Sequence, residues 1–156
     1  MKPRIVLLAP LMVLLSCATQ DICDDNNQSL IVAKFKSTST GQVTDTLVSG
    51  ISIFGIREGQ PDSLLYDSVT LGSIEVPLDP NRPQSVFVIS AGLKTDTFTV
   101  RYSSEVYLLS YSCGFAALFM LEGIETRGEL IRDAEIISKS VDAETETDEE
   151  HIWIYF

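Results

Sequence analysis

Basic residues are scarce in this 156-residue chain: 11 lysines and arginines stand against 22 aspartates and glutamates, a net charge of −11. No lysine- or arginine-rich stripe occurs, so the electrostatic footprint that nucleic-acid binding requires is missing. The same imbalance works against charge-driven attachment to anionic lipid headgroups. Histidine occurs once, at His151, and cysteine three times. A zinc site needs several converging nitrogen or sulfur ligands, more than this inventory offers if two cysteines are bridged. A serine triad would need His151 beside an exposed nucleophile, yet no G-x-S-x-G motif is present. The phosphate-cradling patterns G-x-x-x-x-G-K and G-x-G-x-x-G are absent as well. No catalytic residue, metal ligand or cofactor is therefore expected, and His151 reads as a surface histidine at a strand start. The longest apolar run, Ile5 to Leu15, is too short for a membrane-spanning helix, which takes roughly 20 apolar residues.

That short run sits in an informative context. Met1-Lys2-Pro3-Arg4 supplies positive charge before it, and Leu14-Leu15-Ser16-Cys17 closes it with a small residue ahead of a cysteine. The segment reads as a secretory signal peptide, residues 1–16, ending in a bacterial lipobox. Cys17 would then become the first residue of the mature chain and carry acyl groups such as palmitate. Each buried methylene contributes about 0.8 kcal/mol, so anchoring by more than one chain is effectively stable. Ala18 follows the cysteine rather than aspartate, which under the usual sorting rule favours the outer membrane. With Lys2 and Arg4 removed, 9 basic residues face 22 acidic ones, a net of −13. Lipid rather than charge would hold the protein at its membrane.

If Cys17 is acylated, Cys23 and Cys113 remain in an oxidising compartment, where an even pair favours a bridge. Two independent thiols are the alternative. Period-two alternation places Tyr107, Leu109, Tyr111 and Cys113 on one apolar face, so Cys113 is expected to point inward at a strand end. Residues 17–28 form a polar tether of at most about 40 Å, and a Cys23–Cys113 bridge would shorten the free reach to about 20 Å.

Residues 29–156 form the domain, large enough for one core. Their periodicity is two rather than 3.6 almost throughout. Leu30 to Lys36 alternates with Ile31, Ala33 and Phe35 on one face. Thr46 to Arg57 is β-rich, with Gly50 and Gly55 as candidate bulges. Leu64 to Val69 and Ser73 to Leu78 are short strands, and the prolines between Pro77 and Pro83 require a loop. Ser85 to Ser90 and Asp96 to Tyr102 read as a hairpin turning at Ala91-Gly92. Val106 to Cys113 and Phe119 to Glu122 follow as separate strands. Residues 129–138 suit a strand better than a short helix, the competing reading. His151 to Phe156 is a terminal strand with Ile152, Ile154 and Phe156 on one side and Trp153 and Tyr155 on the other. Eight or nine short strands of this kind predict an all-β, antiparallel β-sandwich. The acidic run Glu144 to Glu150 lacks the glycine and ligand order of a calcium loop and reads as solvated.

Several segments together resemble a known group. The lipobox cysteine, Asp21-Ile22-Cys23, Val76-Pro77-Leu78-Asp79, Tyr111-Ser112-Cys113-Gly114-Phe115 and the terminal His151-Ile152-Trp153-Ile154-Tyr155-Phe156 resemble a family of small Bacteroidota cell-envelope lipoproteins classed only as a domain of unknown function. The resemblance implies an envelope location and a β-rich domain, and no activity. A non-enzymatic, lipid-anchored envelope protein is the function expected, acting as a binding or accessory subunit with an envelope protein partner. Two rivals stand beside it. A hydrolase using carboxylates would place two carboxyls in a cleft; a carbohydrate-binding module would present Trp153 or tyrosines on a flat sheet face.

Overall fold

A computed structural model describes residues 28–39, 41–143 and 149–156. Cys17, Cys23, the expected signal peptide and nearly all of the tether lie outside the described residues, as does most of the acidic run. Eleven strands and no helix make up the described chain, so no helix there is long and apolar enough to cross a membrane. The strands are β1 (Leu30–Ser37), β2 (Thr44–Asp45), β3 (Val48–Ile56), β4 (Ser63–Leu71), β5 (Ser73–Pro77), β6 (Gln84–Ala91), β7 (Lys94–Ser110), β8 (Gly114–Arg127), β9 (Asp133–Ile136), β10 (Ser140–Val141) and β11 (Ile152–Tyr155). They form two sheets that face each other as a sandwich, as the alternation predicts.

In the first sheet β1 lies between β11 on one side and β5 and β2, end to end, on the other; β9 borders β11. The second sheet runs β10-β8-β7-β6-β3-β4, all antiparallel. Register sets the inward faces. Ile31, Ala33 and Phe35 of β1 are fully buried, and Ile152 and Ile154 of β11 beside them. Phe98, Val100 and Tyr102 of β7 close the core from the opposite sheet. Fully burying one such side chain is worth about 1.5–3 kcal/mol, and the core cluster is continuous across both sheets.

Three expectations are corrected. The segments Asp96 to Tyr102 and Val106 to Cys113 are not separate strands: β7 runs unbroken for 17 residues, and Phe119 to Glu122 belongs to the 14-residue β8. Ser103 to Glu105 fall between the two expected strands, yet they pair with Met120, Phe119 and Leu118 of β8 and carry the ladder across. Residues 129–138 hold the expected strand rather than the competing helix: β9 forms there, because Ala134 and Ile136 alternate inward against Ile154 and Ile152. The expected antiparallel sandwich stands, with one parallel ladder in it: β1 pairs with β11, Ala33 with Ile152 and Phe35 with Ile154. Cys113 does not end a strand on an inward face. It lies half-buried in the turn after Ser110, and Tyr111 is 100% exposed. Ser110 Oγ accepts from Cys113 N–H at 2.9 Å, and Gly114 supplies the positive φ of 77° that returns the chain into β8.

The third concerns His151, which is 1% exposed rather than on the surface. Its backbone N–H donates to Val32 O at 3.0 Å, and its Nδ1 accepts from Val32 N–H at 3.0 Å. The imidazole thus stands in for a strand carbonyl one residue before the β1–β11 ladder begins. Among the described residues its Nε2 meets no hydrogen-bond partner. Burial pulls the imidazole below its ordinary value, against the opposing charges of Glu149 and Asp142.

Candidate functional site

The turn joining β3 to β4 and the loop joining β5 to β6 frame a cavity of about 870 Å³ at one end of the sandwich. Its floor is apolar, with Leu78 and Phe87 buried in it. Its rim carries Arg57, Glu58, Asp79 and Arg82. Arg82 donates to Glu58 at 3.0 Å and pairs through Nε with Asp79 at 3.3 Å. Arg57 donates to Pro61 O at 3.1 and 3.3 Å. The guanidiniums are thereby oriented by neighbours rather than loose.

The β5–β6 loop is itself held from within the core. Tyr102, 2% exposed, sends its hydroxyl to the loop, donating to Asp79 O at 3.0 Å and receiving Asp79 N–H at 3.2 Å. Ser85 Oγ lies 2.7 Å from the same hydroxyl. Burial raises the phenol above its ordinary value, partly offset by those bonds to Ser85 and Asp79. Asp79 Oδ1 accepts from Asn81 N–H at 2.9 Å, and Ser104 donates to Pro80 O at 2.8 Å. With three prolines in the same stretch, the loop is ordered before any ligand arrives. A concave apolar floor under oriented polar groups is the arrangement that binds small ligands or a protruding peptide.

The cavity draws on residues between Gly55 and Phe87. Residues 50–156 match the family of unknown function DUF6452. The chain belongs to that family. No curated protein and no solved structure matches it. The DUF6452 match takes in the cavity, all of β4 to β11 and most of β3, while β1 and β2 precede it. Yet β1 pairs with β5 and β11, so the DUF6452 region completes its first sheet with a strand from outside the matched stretch.

The outward face of the first sheet holds a second polar cluster. Glu150 accepts from Lys34 at 2.6 Å and from Trp153 Nε1 at 2.5 Å. Lys36, almost wholly buried, pairs with Asp45 at 2.6 Å and Glu150 at 3.5 Å and lies 4.3 Å over the Trp153 ring. The hydrogen bond from Lys34 is the main cause holding Glu150 below the usual carboxylate range. Tyr155 donates to Glu135, which pushes the phenol up to about 12. Glu150 is therefore a bridging carboxylate rather than a solvated one, and both outward aromatics are engaged by neighbours. Among the described residues no three metal-ligating side chains converge.

Of the expected site residues, only Cys113 lies within the described chain. It is disulfide-bonded, and its position at the tip of the β7–β8 hairpin brings it to the end of the sandwich where β1 begins. There Ser29 donates to Ala117 O of β8. The residue that sequence reasoning missed is Asp96. It is 1% exposed and accepts from the backbone N–H groups of Glu129, Leu130 and Ile131 at 2.8, 2.9 and 2.7 Å. The signal was present: the alternation that turns Phe98 and Val100 inward turns Asp96 inward too, and a buried carboxylate must find donors.

Proposed function

We propose that this DUF6452 protein is a non-enzymatic lipoprotein of the bacterial envelope, acylated at Cys17, stapled by a Cys23–Cys113 disulfide and serving as a binding or accessory subunit. The lipobox supports the anchor, and the disulfide state of Cys113 supports the staple. The observation that carries the binding role is the preordered cavity, whose rim arginines are set by Glu58, Asp79 and the Pro61 carbonyl above an apolar floor. Its titratable groups are committed to one another. Its hydroxyl at Ser85 is tied to Tyr102, while His151 is bonded to Val32. A carbohydrate platform is disfavoured by Lys36 over the Trp153 ring.

Photo-crosslinking in intact cells tests the reading. A crosslinking residue in place of Gln60, on the cavity, should capture one discrete neighbour, and Arg82→Glu should abolish that adduct. The same residue in place of fully exposed Leu93, in the β6–β7 turn, should not capture it. Equal capture from both positions, or an adduct indifferent to Arg82→Glu, would sink the cavity as the binding site.

A further inference from the structure

The β7–β8 hairpin outgrows the sandwich. The last β6 pairing is Gln84 with Arg101, and from Ser103 to Ser110 the β7 strand pairs with β8 alone. Eight residues at about 3.3 Å each carry the tip roughly 25 Å past that point. The inward face of the second sheet continues along this overhang: Tyr102 pairs with Leu121 and Ser104 with Phe119, then Val106 with Ala117 and Leu108 with Phe115. Of the first pairs, Tyr102, Leu121 and Phe119 are covered by the core. The last are not, because the facing sheet has ended: Val106, Leu108 and Phe115 are 58%, 47% and 66% exposed, and Tyr111 at the tip is fully so.

The charge pattern of this segment is as unusual as its exposure. Ser103 to Phe119 contains one charged residue, Glu105, in a chain of net charge −11. An exposed apolar patch of this kind marks a surface that meets something, and uncharged Tyr and Phe at a tip suit the lipid–water interface, where amphipathic rings settle. The position of the chain's start selects the occupant. Ser29 is hydrogen-bonded to Ala117, the partner of Val106 midway along the overhang, and only 11 residues lie between it and Cys17. On the reading that Cys17 is acylated, those residues cannot hold that point more than about 40 Å from the headgroups. From Val106 the tip reaches about 13 Å further, well within that gap.

We infer that the β7–β8 tip is a membrane-contact element: Tyr111 and Phe115, backed by Leu108 and Val106, insert into the interfacial layer of the bilayer that holds the lipidated cysteine. The contact is with uncharged lipid, since the chain offers anionic headgroups no positive charge there. Acyl chains then fix distance, and the hairpin fixes orientation, presenting one end of the sandwich to the bilayer.

The inference rests on the Cys17 anchor, so the experiment reads the two separately. Cells expressing the full chain, as wild type, Phe115→Trp or Leu93→Trp, are fed labelled palmitate. The purified proteins are then reconstituted in phosphatidylcholine–phosphatidylethanolamine vesicles with or without lipid brominated on the acyl chains. Interfacial burial of about 5–10 Å places the new indole within reach of the bromines. The emission added by Phe115→Trp should fall by about half, whereas that added by Leu93→Trp, in the β6–β7 turn, and the Trp153 signal of the wild type should not change. Labelled protein with no selective quenching overturns the hairpin contact and leaves the anchor standing. Unlabelled protein overturns the anchor, and the inference with it. A Phe115→Trp signal that shifts in isolated envelopes but not in pure-lipid vesicles assigns the face to a protein partner and also overturns it.

Discussion

Replacing Asp96 tests how the two sheets are joined. Its carboxylate accepts from three successive N–H groups in the chain leaving β8 for β9, one on Oδ1 and two on Oδ2. Hydrogen bonds to a charged acceptor are worth about 1.5–3 kcal/mol each, and an orphaned buried donor costs about 1–3 kcal/mol. Only the Ile131 bond is fully buried, so water can partly replace the other two. Asp96→Asn keeps one oxygen and turns an amide N–H toward a backbone N–H, which should cost about 2 kcal/mol. Asp96→Ala orphans all three and should cost about 4 kcal/mol, a large share of the roughly 5–15 kcal/mol that holds a domain together. Urea denaturation followed by circular dichroism measures both. Gly128 makes the test sharper. A Cβ there would lie 1.8 Å from Asp96 Oδ1, on a backbone with φ of 139°. Gly128→Ala should therefore be severely destabilising alone but less so in the Asp96→Ala background, giving a coupling energy of about 1 kcal/mol or more. Asp96→Asn within about 0.5 kcal/mol of wild type, or strictly additive costs in the double mutant, would refute this account.

Two further outcomes are expected. Because burial lowers the His151 pKa in the folded state, the unfolded chain binds more protons below its ordinary value of 6.5. Stability should be complete above neutrality and fall as pH drops through 6.5, by at most about 1.4 kcal/mol per pH unit, levelling once the folded imidazole is charged. His151→Gln should flatten that slope between pH 7 and 5 in denaturation curves; an unchanged slope would assign it elsewhere. Tyr102→Phe removes the hydroxyl that holds Asp79 and Ser85 and should cost about 1–2 kcal/mol. Amide exchange at Asn81 and Arg82 should quicken with it, and unaltered exchange there would show that the prolines order the loop unaided.

Much of the architecture was legible in the sequence because half-buried strands write their facing into period two. Leu30 to Lys36, Asp96 to Tyr102 and Ile152 to Tyr155 all bury the residues that alternation selects. Strand length was not legible. Nothing local distinguishes the solvated rungs at Ser103 and Ser104 from a turn; the β8 partner makes them strand. The parallel β1–β11 pairing joins segments more than 110 residues apart and leaves no local trace. His151 looked superficial because it adjoins the acidic run, whereas its place was decided by the Val32 amide it satisfies. The cavity was equally hidden. Its rim pairs Arg82 with Glu58 across 24 positions, and only the folded meeting of two loops creates the concavity.

The central place of β11 has a temporal consequence. Ile152 to Tyr155 are inserted between β1 and β9, so the sheet begun by Leu30 stays open until those residues have been synthesised. An open edge and a missing centre leave that layer unable to cover its partner. On the proposed export route, such a chain remains threadable until β11 is made and locks shut only once that strand has arrived on the far side. Translocation would then need no separate device to delay folding: the order of the strands is itself the timer.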